Sequence, residues 1–100
     1  MLVYNVTTIV EDPIADEWFA WMNEEHIPHV MATGKFTSSK LLKVIDSPNE
    51  GVTFCAQFMA QTKADYDSYI NIHAPALRDE VTRKFPEKLV SFRSLMEVVG

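Results

Sequence analysis

Two short segments of the chain place a histidine two residues before a proline: EEHIPHV at residues 24–30 and NIHAPAL at residues 71–77. The histidines are His26 and His73. An unperturbed imidazole has a pKa of about 6.5, so either ring is a candidate general base near neutral pH. The structural alternative, which the sequence favours, is that each imidazole bonds carbonyl groups left free where the proline interrupts a helix.

His26 lies on a predicted helix that follows a predicted strand. Residues 1–11 alternate in the way of a strand. Asp12 is expected to cap the next helix and Pro13 to begin it. Because proline disfavours the helical conformation of the residue before it, we expect this helix to kink or end at Pro28. The inward face of the helix is predicted to carry Ile14, Trp18, Trp21, Met22 and His26.

The second half of the chain predicts three more strands and one more helix. Residues 35–46, 51–61 and 89–99 each read as a strand, and the turn-forming SPNEG joins the first two into a hairpin. Between the second and third of these strands, Thr62 begins a helix that is expected to kink or restart at Pro75. The inward face of this helix is predicted to carry Tyr66, Tyr69, Ile70, His73 and Leu77.

The order βαββαβ predicts a ferredoxin-like α+β fold with one antiparallel four-stranded sheet in a single domain of residues 1–100. Helices cover one face of such a sheet. Apolar residues occur at both strand parities here, so we expect the uncovered face to pair with a second copy and form a homodimer. The residues expected under the helices are Val6, Phe54, Phe58, Phe92, Met96 and Val98, and those expected on the outer face are Val3, Ile9, Cys55, Met59, Leu89 and Leu95, or the reverse.

Much of the chain resembles a known group of proteins, in the stretches VYNVT, W..WM.EEHIP.V.ATG.FT..KLL, GVTF..QF.A....DYD.YI..HAPALR and F..K.V.FR.L.EV. These stretches are similar to a short uncharacterised bacterial family, a domain of unknown function, within the dimeric α+β barrel superfamily. That superfamily includes small monooxygenases, dehalogenating and isomerising enzymes, haem-degrading proteins and stress-response proteins. The resemblance implies the fold and the dimer, and it implies no particular reaction.

Some haem-degrading members of the superfamily pair an asparagine on the first strand with a histidine on the second helix and a nearby tryptophan. Asn5 and His73 occupy the first two of these elements. Both tryptophans of this chain lie on the first predicted helix, so the third member is missing from its place. We therefore expect neither haem nor any other cofactor.

A pocket for a small organic molecule between sheet and helices is the function that the residue types favour. Aromatic side chains would line it, although tryptophans at helical spacing are more typical of core packing. The candidate ligand-binding residues are Tyr4, Asn5, Trp18, Trp21, Tyr66, Tyr69, Arg78 and Arg93. One alternative is a cofactor-independent monooxygenase or isomerase in which His26 or His73 removes a proton while Arg93 steadies the anion. Another is a non-catalytic interaction module.

Other function classes are disfavoured. The net charge of -5 without a basic stripe argues against nucleic-acid binding. His26 and His29 have H-x-x-H spacing, but Pro28 between them breaks the helical geometry that a metal would need, so no metal is expected. No apolar run approaches the roughly 20 residues of a membrane span, and the chain is expected to be cytoplasmic without membrane contact. The single cysteine, Cys55, is expected to be a buried structural thiol.

Overall fold

The computed structural model describes residues 1–100 and contains four strands and two long helices. The strands are β1 (Leu2–Val10), β2 (Ser38–Lys43), β3 (Val52–Ala60) and β4 (Leu89–Glu97). They form one sheet in the order β2-β3-β1-β4, and all neighbouring strands are antiparallel. This is the strand order of the ferredoxin-like fold, so the α+β fold predicted from the sequence is confirmed.

Each long helix consists of two α-helical parts joined by five residues of wider π-helix. In the first helix, Met22–His26 joins α1 (Ala15–Trp21) to α2 (Ile27–Ala32). In the second, Tyr69–His73 joins α3 (Lys63–Ser68) to α4 (Ala74–Lys84).

The first helix does not end at Pro28, because it continues to Ala32. A proline ring clashes with the carbonyl four residues before it in a regular helix, and proline has no N–H to bond it. A π-helical turn just before each proline spaces the backbone more widely, which lets the chain stay helical. His26 and His73 are the last residues of the two π-helical segments, so the H-x-P pattern marks helix widening rather than helix ends.

The predicted side-chain cap is present at the start of the second helix and absent at the start of the first. The Asp65 backbone N–H donates to Thr62 Oγ1 at 3.1 Å, which confirms the predicted cap by Thr62. The Asp65 carboxylate accepts from the Thr62 hydroxyl at 3.0 Å rather than from the Thr62 backbone N–H of a complete capping box. The expected cap by Asp12 is wrong. Asp12 lies inside the short 3-10 turn Asp12–Ile14 that precedes α1, and the residue before that turn makes no side-chain cap.

The helices cover the face of the sheet that carries Tyr4. Tyr4 pairs with Phe58 on β3 and Leu95 on β4, so these three side chains lie on the same face. The assignments expected for β1 and β3 are therefore right. Those for β4 are wrong, because Leu89 and Leu95 lie under the helices, whereas Phe92 and Met96 lie on the outer face and are 59% and 43% exposed.

The outer face of the sheet is polar at its centre and apolar toward the β4 edge. In the centre, the Asn5 amide donates to Thr7 Oγ1 at 2.9 Å and accepts a hydrogen bond from Gln57 Nε2 at 3.3 Å. Cys55 is half-buried there, 3.4 Å from the Thr7 hydroxyl, rather than in the core. The exposed apolar residues on and beside β4 are Val90, Phe92, Met96 and Val98.

Candidate functional site

A cavity of about 50 Å³ lies between the sheet and the two helices. Fifteen residues line it, and ten of them are hydrophobic. The walls include Tyr4, Val6, Ala56 and Phe58 from the sheet and Trp18 from the first helix. Its polar side chains come from both layers, so the site exists only in the folded protein.

His26 is the one histidine that lines this cavity. Its side chain is 12% exposed and stacks on Trp21 with ring centroids 5.1 Å apart. The π-helical segment positions His26 at the point where the first helix passes over the cavity. Its Nδ1 is buried and lacks a hydrogen-bond partner, which leaves Glu80 Oε1, at 3.6 Å, as the nearest opposite charge.

Burial keeps His26 neutral. Desolvation lowers the pKa of His26 below its usual value of 6.5, and the negative charge of Glu80 offsets part of this change. The separation of 3.6 Å is too long for a hydrogen bond, so Glu80 acts on His26 through its charge. A neutral imidazole can accept a proton, which is the state a general base requires.

Glu80 is shared between two histidines. Its carboxylate lies 3.0 Å and 3.2 Å from Nδ1 of the exposed His29, and this contact holds it just out of reach of His26. The sequence offered no signal for Glu80, because it lies 54 positions after His26 and the two meet only when α4 packs beside the first helix.

Two arginines also line the cavity. Arg78 Nη2 donates to the Tyr4 hydroxyl at 3.3 Å. Arg93 extends from β4 beside Val6. Burial, and next the neighbouring Tyr4, raise the pKa of Tyr69 above its usual value of 10.0, so its hydroxyl stays protonated and can donate a hydrogen bond.

The charged side chains that line the cavity are all positive. It contains both of these guanidinium groups and no aspartate, glutamate or lysine. Thr8 and Ser91, which the sequence did not point to, add two hydroxyls bonded to one another at 2.9 Å across β1 and β4. In a chain with a net charge of -5, this lining favours an anionic guest.

The other predicted site residues lie outside this cavity. Asn5 is on the outer face of the sheet, hydrogen-bonded to its neighbours. Tyr66 packs edge-on against Tyr4 with ring centroids 5.5 Å apart, and Trp21 packs against Phe85. His73 is half-buried behind Tyr69, with ring centroids 6.3 Å apart. His26 and His73 therefore do not share a pocket.

Two further features are absent, a cluster of metal ligands and a membrane-spanning helix. No three histidine, cysteine, aspartate or glutamate side chains are grouped so as to hold a metal ion. None of the helices has the length and apolar character needed to cross a bilayer.

The comparisons with known proteins settle the family. Residues 1–99 match the family described as Domain of unknown function (DUF4286). The chain belongs to this family. No curated protein matches it significantly.

Solved structures with the same fold are only distantly similar in sequence. HapK from Hahella chejuensis has a TM-score of 0.73 and 11% identity over 100% of this chain and 94% of its own. SnoaB, a cofactor-independent oxygenase from Streptomyces nogalater, has a TM-score of 0.70 and 12% identity over 97% and 91%. A dimeric ferredoxin-like protein from an uncultured marine organism has a TM-score of 0.68 and 15% identity over 99% and 95%. These likenesses show the fold.

The lowered pKa of His26 predicts how this family member responds to acid. Unfolding releases His26 to its ordinary pKa, so the unfolded chain binds more protons than the folded one below about pH 6.5. His26 therefore lowers the free energy of unfolding as the pH falls from about 6.5 to the pKa that His26 has in the folded protein. Above about pH 6.5 this loss is absent. We expect His26→Gln to reduce the difference in unfolding free energy between pH 7.5 and pH 5.5, measured by urea denaturation.

The control for this measurement is His73→Gln, which removes a half-buried histidine that lies away from Glu80 and outside the cavity. It should retain the loss of stability in acid. An unchanged pH dependence in His26→Gln would contradict the assignment of this loss to His26.

Proposed function

We propose that the protein is a homodimer in which each copy binds a small organic anion in the cavity between sheet and helices. The observation that carries the anion is the lining itself, which brings Arg78 and Arg93 together with hydroxyl donors and no acidic side chain. Both arginines are partly open to solvent, and a carboxylate bound between them would accept charge-assisted hydrogen bonds from the two guanidinium groups. The walls are otherwise aromatic and aliphatic, which suits an apolar body behind the anionic group.

The size of the cavity limits the guest. A volume of about 50 Å³ is well below that of a pocket for drug-sized ligands. Even a short carboxylate such as pentanoate is larger than this space, so the guest must be small and must displace side chains at the mouth of the cavity. The exposed Arg78 and Arg93 are two of these.

A comparison of a short carboxylate with its uncharged amide tests whether the cavity prefers an anion. We expect pentanoate to raise the melting temperature more than pentanamide, because only the carboxylate pairs with the guanidinium groups. Arg78→Gln and Arg93→Gln should each weaken pentanoate binding about tenfold to a hundredfold in calorimetric titration, since hydrogen bonds to charged groups contribute about 1.5–3 kcal/mol.

The matched control is Arg83→Gln, which removes an exposed arginine that pairs with Asp79 on the outer side of α4. This variant should bind pentanoate as the wild type does. Equal binding of carboxylate and amide, or no loss in either cavity variant, would refute the anion site.

The proposed dimer rests on the outer face of the sheet. Phe92, Met96 and Val90 are each more than two-fifths exposed on one side of β4, and this apolar surface adjoins the hydrogen-bonded polar centre of the sheet. One of the proteins with the same fold is described as dimeric. Packing the two sheets face to face would cover these side chains with the same surface of a second copy.

A second candidate function is proton abstraction from the bound ligand by His26. What supports it is the combination of a buried neutral imidazole, a carboxylate 3.6 Å from its Nδ1, and two arginines in the same cavity. His26 would take a proton from carbon next to a carbonyl, an arginine would stabilise the resulting enolate, and delivery of the proton from His26 to a different atom of the enolate would complete an isomerisation. A cofactor-independent oxygenase reaction would begin with the same step.

Hydrogen exchange tests this second candidate without knowledge of the natural substrate. Levulinate is a short carboxylate whose ketone has exchangeable neighbouring C–H bonds. We expect the protein in deuterated buffer to accelerate their exchange, followed by proton NMR, and His26→Gln to lower the added rate by at least about a hundredfold. His73→Gln is the control and should retain the rate. Exchange at the buffer rate in the wild type would leave the protein as a binder only.

A further inference from the structure

Trp18 has a polar group that no part of the chain satisfies. Its side chain is 2% exposed and packs against Phe54 with ring centroids 5.0 Å apart. Its indole N–H, at Nε1, is buried without a hydrogen-bond partner. Buried tryptophans usually give this N–H an acceptor, because leaving it unpaired is unfavourable.

The cavity is the space that borders Trp18. Trp18 lines it together with His26, the only other residue whose buried side chain has a nitrogen without a partner. For His26 that nitrogen lies 3.6 Å from Glu80 Oε1, whereas no acceptor of the chain bonds the indole N–H of Trp18. An acceptor for the indole N–H would therefore have to come from a guest in the cavity.

The sheet sets the distance between this donor and the arginines. Trp18 packs on Phe54, which pairs with Thr8, whereas Arg93 pairs with Val6 on the next row of the same face. Successive residues on one face of a strand lie about 7 Å apart, and β3 and β4 lie on opposite sides of β1, which adds about 9–10 Å across the sheet. An acceptor at Trp18 and a carboxylate at Arg93 are thus separated by several bonds in the ligand.

We infer that the ligand is a short carboxylic acid with a second, uncharged oxygen acceptor several bonds from the carboxylate, and that Trp18 binds this oxygen through its indole N–H. The inference rests on the proposed anion site and deepens it. A keto acid with two or more carbons between its carbonyl groups has this chemistry. Trp18 is then a specificity-determining residue that distinguishes such acids from simple fatty acids.

A pair of nearly isosteric ligands tests this inference on the wild-type protein. Levulinate carries a keto oxygen, and its analogue with a methylene group in place of that oxygen has the same carboxylate and a similar shape. We expect levulinate to bind about tenfold to a hundredfold more tightly, because the analogue leaves the buried N–H unpaired. In nitrogen–proton NMR spectra, levulinate should shift the indole signal of Trp18 and slow its solvent exchange, while the signal of Trp21 stays in place.

Trp18→Phe and Trp21→Phe assign the two indole signals. If Trp18→Phe does not fold, a chain ligated at Cys55 from two synthetic peptides can carry at position 18 the tryptophan analogue with sulfur in place of the N–H. That variant should bind both ligands equally.

The outcomes separate the two proposals. Equal affinity of the wild type for both ligands, with an unmoved Trp18 signal, would refute the role of Trp18 while the anion site stands. This is also the result expected if the N–H bonds only a resident water molecule. Failure of every carboxylate to bind would refute the anion site and the inference together.

Discussion

Replacing Phe92 by aspartate is expected to convert the proposed dimer into folded monomers. Phe92 is 59% exposed in the single chain and lies beside Thr7 on the outer face of the sheet. In a face-to-face dimer its ring would be covered, and an aspartate there would be an unpaired charge removed from water. Such a charge costs about 3–5 kcal/mol, and symmetry places one in each copy.

Sedimentation velocity measures the outcome directly. The wild type should sediment at twice the chain mass of 11.4 kDa and the variant at one chain mass, with an unchanged circular dichroism spectrum. Met96→Asp should act in the same way, and so should Met59→Asp on β3, which lies on the other side of β1 and contributes to the same face. Leu95, which the sequence placed on this face, lies under the helices, so a charge there would damage the core instead.

Ile72→Asp is the matched control for the dimer. Ile72 is an even more exposed apolar residue, at 69%, but it lies on the second helix and not on the sheet face. This variant should remain dimeric. A folded, dimeric Phe92→Asp variant would count against association through the sheet face.

Gly51→Ala is expected to lower the free energy of unfolding by about 2–4 kcal/mol. Gly51 ends the turn before β3 with a φ of +84°, a left-handed conformation that costs other residues about 1–2 kcal/mol. An added Cβ would also collide with the carbonyl oxygen of Val10, which belongs to the buried end of β1. Urea denaturation measures the loss.

Gly34→Ala separates the two contributions. Gly34 has a similar φ of +74°, and nothing lies within 4 Å of the place a Cβ would occupy. It should cost only the conformational part, about 1–2 kcal/mol. Equal losses in the two variants would mean that the backbone near Val10 moves aside.

The path of the chain was predictable from local sequence. Each element is specified by residues that are close together in the sequence. Examples are the alternation in residues 1–11 and 51–61, the turn SPNEG and the cap at Thr62. The order of those elements leaves few ways to form one sheet, which is why the ferredoxin-like fold followed. The inward positions of Trp18, Tyr69 and His26 also followed from helical spacing.

The face of the last strand was decided by tertiary structure. Residues 89–99 have apolar side chains at both parities, so burial by itself cannot choose between them, and a shift of one residue exchanges the faces. Pairing with β1 makes the choice: Leu95 lies beside Tyr4 under the helices, and Phe92 lies outside. The same pairing brings Arg93 to the cavity.

By itself, the sequence determined the order of the elements, the interruption of both helices near their prolines and the set of polar residues available for a site. Which of those residues meet was decided by packing. His26 and His73 have the same local pattern, yet only His26 reaches the cavity, where α4 sets Glu80 beside it. Local sequence patterns show the spacing of inward-facing residues along one helix or strand. A site joins side chains from distant elements, and their contacts depend on strand register and on the rotation of each helix above the sheet.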